Sequence, residues 1–123
     1  MIVIDISVGP QVSMDYVRQL IENTPELYDR LLGVLEEIAY QIAEMAKDTC
    51  PVKTGRLRDS IVVEVEENGV AIKATVDYAL FQEFGTKYIP GQYFMTNAYD
   101  SYVPLIESRI YEEIYDYFKG VTG

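Results

Sequence analysis

The residues with the greatest potential for chemistry lie close together at Cys50, Lys53 and Arg56. Cys50 is the only cysteine of the chain, and nearby cations are the setting that lowers a thiol pKa. The sequence contains no histidine to activate that thiol, and Cys50 precedes a proline where a helix ends rather than begins. We therefore expect a structural cysteine, with a reactive thiol as the alternative.

Neighbouring carboxylates are the second possibility for chemistry. The candidate groups are Glu36 with Glu37, and Glu112 and Glu113 with Asp116. These residues fall on the polar faces of predicted amphipathic helices, where a solvated surface is a commoner role than paired acid and base catalysis. The lack of histidine removes most zinc sites, and residues 51–55 lack the glycine and lysine order of a phosphate-binding loop. The sequence therefore predicts neither an enzyme nor a bound cofactor.

The stretch from Cys50 to Ile61, here called the basic joint, separates two hydrophobic periods. Apolar residues repeat at helical spacing before it and alternate with period two after it. Pro51 cannot continue a helix, and Gly55 tolerates a positive φ where the chain reverses. Three of the ten basic residues lie here, at Lys53, Arg56 and Arg58. This concentration of positive charge predicts contact with an anionic partner, and a solvated polar turn is the alternative.

The composition predicts one globular domain over residues 1–123, because 49 % hydrophobic and 24 % charged residues are ordinary for soluble proteins. No window approaches the length of apolar sequence needed to span a bilayer. The N-terminus lacks the basic start of a signal peptide, so we expect synthesis in the cytoplasm. The net charge of −10 argues against general affinity for nucleic acid. An acidic surface would suit a channel through which DNA slides without binding, although solubility alone also explains it.

The periodicity predicts an α+β fold. Alternating isoleucines predict a strand near residues 2–6. A capping serine predicts a short helix from Ser13 to near Asn23. Thr24 and Pro25 are predicted to begin a long helix whose apolar stripe extends to Met45. We expect Gly33 within this helix to allow close backbone packing. Residues 61–76 predict a hairpin that turns at Asn68-Gly69.

The last third predicts two helices joined by a loop. Residues 78–84 predict a short helix ended by Gly85, and residues 86–92 predict a loop. Asn97 is predicted to cap a final helix, with a kink or break before Pro104. The predicted architecture is a small antiparallel sheet, formed by the N-terminal strand and the hairpin, packed against the long central helix and the C-terminal helix.

Two separated segments resemble a known protein family. The run Ala46-Lys-Asp-Thr-Cys-Pro-Val-Lys-Thr-Gly-Arg-Leu-Arg-Asp-Ser-Ile61 is similar to one motif of the tail-completion, or head-tail joining, proteins of long-tailed bacteriophages. The run Tyr78-Ala-Leu-Phe-Gln-Glu-Phe-Gly-Thr86, followed by Ile89-Pro-Gly-Gln-Tyr-Phe-Met95, resembles the family's second motif. The order of the motifs, with a hairpin between them, agrees with the family, although Tyr93 replaces a common proline.

The resemblance implies a non-enzymatic virion subunit that assembles with itself into a ring, commonly six-fold, at the neck or the head-proximal end of the tail. Its implied partners are connector and tail-tube proteins, with DNA passing nearby without specific binding. The candidate interface residues are Lys53, Thr54, Gly55, Arg56, Arg58, Glu83, Phe84, Gly85, Thr86, Pro90, Tyr93, Phe94 and Met95.

Several roles remain open within this set. Glu83 is expected either to pair with the basic joint of a neighbouring subunit or to pair within its own subunit. Leu57 and Phe84 are expected to fill the core. Phe94 and Met95 are expected either to anchor a neighbour or to be buried. The alternative to a virion subunit is a binding module or host regulator that acts as a monomer or dimer.

Overall fold

The computed structural model describes residues 1–7, 19, 21–51, 55–67 and 69–122. Its elements are β1 (Ile2–Ser7), α1 (Pro25–Thr49), α2 (Arg56–Asp59), β2 (Ile61–Glu66), β3 (Gly69–Ala74), α3 (Ala79–Phe84) and α4 (Phe94–Thr122). The strands form one antiparallel sheet in the order β1-β3-β2. Helix α1 packs on this sheet, and α4 packs against α1. The predicted α+β architecture is confirmed.

The sheet places alternate residues of all three strands on one face. Ile4 of β1 and Val63 of β2 both pair with Ile72 of β3, and all three pack in or against the hydrophobic core. The predicted hairpin is present, but its turn is shifted. Glu66 pairs with Gly69, so residues 67 and 68 link the strands and Gly69 belongs to β3. Asn68 lies outside the described residues.

Helix α1 supplies the central layer of the core through nine buried residues: Leu27, Leu31, Val34, Leu35, Ile38, Ala39, Ile42, Ala43 and Ala46. Each fully buried leucine or isoleucine contributes roughly 1.5–3 kcal/mol. Two details of the prediction are wrong. Met45 is 36 % exposed, because three alanines complete the buried face instead. A methyl group added to Gly33 would meet no heavy atom of the described residues within 4 Å, so no backbone in the described part of the chain packs closely there.

The start of α1 agrees with the predicted boundary, with Pro25 in the first turn. Thr24 occupies the N-cap position but makes no side-chain capping hydrogen bond. The short helix predicted from Ser13 lies mostly outside the described residues. Of its C-terminal part, Ile21 and Glu22 are helical and Ile21 is buried in the core.

Helix α4 begins earlier than predicted and is continuous through Pro104, so there is no break. Asn97 is not its cap, because the Asn97 backbone N–H already donates an intrahelical bond to the Tyr93 carbonyl at 2.9 Å. Spacing in the sequence also predicts an i, i+4 apolar stripe of Ile106, Ile110, Ile114 and Phe118 on this helix. The three isoleucines are buried, and Phe118 is half-buried against the core. On the outer side, Arg30 of α1 and Glu113 of α4 form an ion pair with a 2.6 Å N···O distance.

Candidate functional site: the basic joint and an exposed aromatic surface

The basic joint begins at a buried thiol that ends α1. Cys50 has the extended backbone expected of a residue before proline, with φ −70° and ψ 153°. Its Sγ lies 3.3 Å from the Lys47 carbonyl, to which the thiol donates. Burial raises the pKa of the Cys50 thiol, while the nearby Arg58 charge opposes that rise. A buried thiol with a raised pKa is a poor nucleophile, which favours the structural role.

Gly55 turns the chain within the joint. Its φ of +78° is the left-handed conformation predicted for this position, and the short helix α2 follows it. Leu57 of α2 is buried in the core, as predicted, whereas Arg56 and Arg58 are exposed. The Arg56 guanidinium lies over the Tyr78 ring at 5.7 Å from its centroid. Lys53 and Thr54 lie outside the described residues.

Glu83 of α3 is a buried carboxylate with a structural task. The side chain is 1 % exposed. One oxygen accepts the backbone N–H of Met95 at 2.9 Å, and the other accepts the N–H and hydroxyl of Thr96 at 3.0 Å each. These amides belong to the first turn of α4, where a negative charge is favoured by the helix dipole. Of the two predicted roles of Glu83, pairing within its own chain is the one observed, although its partners are the amides and hydroxyl at the start of α4 and not a cation. Pairing across a subunit boundary stays a prediction.

Two glycines allow the loop after α3 to fold back on that helix. Gly85 has a φ of +83° and its N–H donates to the Phe81 carbonyl at 2.8 Å, as predicted for a helix end. A methyl group on Gly85 would lie 2.5 Å from the Gly91 nitrogen, and one on Gly91 would overlap the Glu83 carbonyl. The backbones therefore touch where side chains would not fit.

Thr86 and Pro90 shape the loop between these glycines. The Thr86 hydroxyl oxygen accepts the N–H groups of Tyr88 and Ile89 at 3.2 and 3.1 Å. The Thr86 N–H donates to the Ile89 carbonyl at 2.7 Å, and Gly85 forms a β-bridge with Pro90. A loop fixed by its own hydrogen bonds can hold exposed side chains in place at a low entropic cost.

The result is an exposed cluster of large apolar side chains, here called the aromatic surface. Its members are Leu80 (45 % exposed), Phe81 (56 %), Phe84 (55 %), Tyr88 (85 %), Ile89 (62 %) and Tyr93 (45 %). The Phe84 and Tyr93 rings meet edge to face, 6.2 Å apart. By typical side-chain areas these six side chains together expose apolar area on the order of 500 Å².

This surface corrects part of the prediction. Phe84, predicted to fill the core, is exposed, because α3 is short and turns this side away from α4. Phe94 and Met95 are buried at 1 % exposure, so of their two predicted roles burial is the one observed in the subunit. Leu80, Phe81 and Ile89 were not among the predicted interface residues, although the helical spacing of three between Phe81 and Phe84 was a usable signal for Phe81.

The basic joint and the aromatic surface meet at a cleft of about 410 Å³. Pro51, Gly55 and Leu57 line it on the joint side, and Tyr78, Gln82, Ile89 and Gln92 line the other side. The two sequence motifs are thus neighbours in space, although the strands β2 and β3 separate them in sequence. Arg56 and Ile89 place positive charge and apolar area side by side there.

The acidic side chains considered as possible chemical groups are placed by the structure as follows. No group of three or more metal-ligating side chains occurs among the described residues. Two of the neighbouring acids instead bind arginines between α1 and α4, with Glu113 bound to Arg30 and Glu37 3.7 Å from Arg109. In the described part of the chain, no helix combines the length and apolarity needed to cross a bilayer.

The chain is a small α+β protein with several large apolar side chains exposed around one hydrogen-bonded loop, and exposed apolar area of this kind often marks a contact surface. A family model described as "Bacteriophage HK97-gp10, putative tail-component" matches residues 15–85, which include the whole basic joint and α3. The chain therefore belongs to the HK97-gp10-like family of phage tail components. No curated protein matches the chain. Solved structures likewise give no match.

Proposed function

We propose that this protein is a structural subunit that completes the tail or joins it to the head, and that it works as an oligomeric ring. The observation that carries the proposal is the aromatic surface. Its apolar area, on the order of 500 Å², would form most of one side of a standard protein interface of about 800 Å² per partner. Family membership supplies the setting, since a tail component acts by contact with other virion proteins.

The basic joint is proposed to contribute the polar rim of that interface. Arg56 and Arg58 are exposed beside the cleft, and Lys87 lies over the Tyr88 ring at 5.7 Å. Cations around an apolar centre suit an acidic partner surface, because complementary charges orient an encounter. Gly55, Gly85, Thr86 and Pro90 contribute by shaping the backbone, and Glu83, Phe94 and Met95 by supporting the loop from within.

The acidic balance of the chain supports a place beside DNA. With 20 acidic and 10 basic residues, most of the surface repels the phosphate backbone. A ring with its acidic helix faces toward a central passage would let DNA pass without binding. The proposed partners are therefore further copies of this chain and the connector and tail-tube proteins, with the virion neck as the location.

The first experiment measures mass in solution by light scattering, for the protein alone and mixed with its connector and tail-tube proteins. We expect a ring-sized species in at least one sample. Replacing Arg56 and Arg58 with glutamate, or Phe81 and Tyr88 with serine, should leave the circular dichroism spectrum unchanged and abolish that species. Tyr115→Ser is the matched control, because Tyr115 is 65 % exposed on α4 away from the loop.

Two results would contradict the proposal. A wild-type protein that stays monomeric or dimeric in every mixture would favour a binding module or regulator. Assembly that survives both variants would remove the aromatic surface and the joint from the interface.

A further inference from the structure

A second unpartnered surface lies on the helices, in a groove between α1 and α4. The groove has a volume of about 460 Å³. It is lined by Tyr102 of α4 and by five residues of α1: Tyr40, Gln41, Glu44, Met45 and Asp48. Tyr40 is 53 % exposed and Met45 is 36 % exposed. This is the place where the hydrophobic stripe of α1 continues beyond the core, and it leaves a methionine uncovered.

We propose that this groove receives the aromatic surface of a second copy of the chain. The inference rests on the proposed ring and names the contact that would build it. The groove offers apolar side chains, Tyr40 and Met45, for the exposed aromatic rings. Methionine and tyrosine side chains are favoured at interface centres, where methionine adapts its shape to an aromatic partner.

Charge favours this groove over a second apolar groove near the end of α4. Among the described residues, the lining of the α1–α4 groove contains two acids, Glu44 and Asp48, and no basic residue. Glu44 also lies 3.4 Å from the Lys47 ammonium outside the lining, so Asp48 is the acid with the more available charge.

The aromatic surface has Lys87 over the Tyr88 ring, and Arg56 lies over Tyr78, which lines the same cleft as Ile89. Arg58 is also exposed but lies 3.9 Å from the Asp59 carboxylate. The other apolar groove, formed near the end of α4 by Tyr111, Ile114, Tyr115, Phe118 and Lys119, carries a lysine. A basic aromatic surface is complementary to the first groove and is repelled by the lysine of the second.

The two surfaces share no residue, so the contact joins different patches of two identical chains. Such a heterologous contact leaves a free aromatic surface on one copy and a free groove on the other. It therefore repeats, and it closes into a ring where the rotation between neighbours permits. An isologous contact between two aromatic surfaces would stop at a dimer and would bring like charges together.

The test mixes two defective variants. The surface variant carries Phe81→Ser and Tyr88→Ser, and the groove variant carries Tyr40→Ser and Met45→Ser; all four side chains are exposed, so both variants are expected to fold. Neither variant alone should assemble, as measured by sedimentation velocity. Mixed in equal amounts they should form a heterodimer and nothing larger, because only one intact surface and one intact groove remain.

A charge reversal provides an independent measurement. Asp48→Lys and Glu112→Lys both change the net charge from −10 to −8, which lowers general repulsion between copies equally. Asp48→Lys should nevertheless weaken self-association about fivefold, in line with a like-charge contact at an exposed rim. Glu112→Lys, on the outer face of α4, should leave self-association unchanged or slightly stronger.

The outcomes separate this inference from the proposed function. A groove variant that still forms rings overturns the groove contact while the ring itself stands. Equal effects of Asp48→Lys and Glu112→Lys overturn it as well. A wild-type protein that never assembles, alone or with its connector and tail-tube proteins, overturns both.

Discussion

The segment from Ala79 to Met95 has an inner side and an outer side, and they are built by different rules. On the inner side, Glu83, Phe94 and Met95 are each 1 % exposed and are joined by specific hydrogen bonds or core packing. On the outer side, Phe81 and Tyr88 are more than half exposed. The difference teaches that a sequence motif need not be a single site, since some of its positions hold the loop and others present it.

The two sides are also expected to contribute differently to the free energy of unfolding. A buried carboxylate that binds three donors stabilises the subunit, because each hydrogen bond to a charged group contributes about 1.5–3 kcal/mol. Exposed apolar side chains contribute little until a partner covers them. We therefore expect substitutions on the inner side to lower stability and substitutions on the outer side to lower assembly.

The largest expected effect is at Glu83. Glu83→Leu should lower the free energy of unfolding by about 3–4 kcal/mol, because the amides of Met95 and Thr96 would lose their acceptors in a buried place. Urea unfolding followed by circular dichroism measures it. Glu83→Gln is the matched control, expected to lose about half as much because one amide oxygen remains as an acceptor. A loss below about 1 kcal/mol for the leucine variant would mean that Glu83 does not stabilise the start of α4.

The next effect concerns Gly91, on the inner side of the loop. Gly91→Ala should lower the free energy of unfolding by about 2–3 kcal/mol, because the added methyl group overlaps the Glu83 carbonyl and backbone must move. Thermal unfolding provides the measurement. A neutral result would show that the loop shifts away from α3 at no cost, which contradicts a rigid loop.

Gly33 provides the matched control for that prediction. It lies within α1, and a methyl group there meets no heavy atom within 4 Å among residues 1–7, 19, 21–51, 55–67 and 69–122. The same substitution, Gly33→Ala, should therefore have the opposite sign and raise the free energy of unfolding by about 0.5–1 kcal/mol through the higher helix propensity of alanine. If both substitutions lower the free energy of unfolding, the space around a glycine does not determine the effect of replacing it with alanine.

The sequence predicts those parts of the fold that local periodicity determines. The strand of Ile2, Ile4 and Ile6, the stripe of α1 and the left-handed turn at Gly55 all follow from neighbouring residues. Their side chains bury on one face whatever the rest of the chain does, so the pattern is sufficient.

The arrangement of the candidate site depends on contacts that local pattern does not contain. Glu83 binds amides twelve and thirteen residues away, and that contact starts α4 at Phe94 instead of near Asn97. In this arrangement Phe94 is buried and Phe84 is exposed. Residue type alone does not separate these two phenylalanines, because tertiary packing decides which of them is buried.

The smallest expected effect on stability is the one that most sharpens the comparison. Combined replacement of Phe81 and Tyr88 by serine should change the free energy of unfolding by no more than about 0.5 kcal/mol, because both side chains are already largely in water. Urea unfolding of the isolated subunit measures it. A loss above about 1.5 kcal/mol would show that the outer side also holds the fold, and a loss of assembly in that variant could then no longer be attributed to a missing contact surface. An unchanged free energy of unfolding together with lost assembly would show that the outer side chains act only in assembly. Glu83→Gln is expected to do the opposite, because it lowers stability and removes none of the exposed side chains.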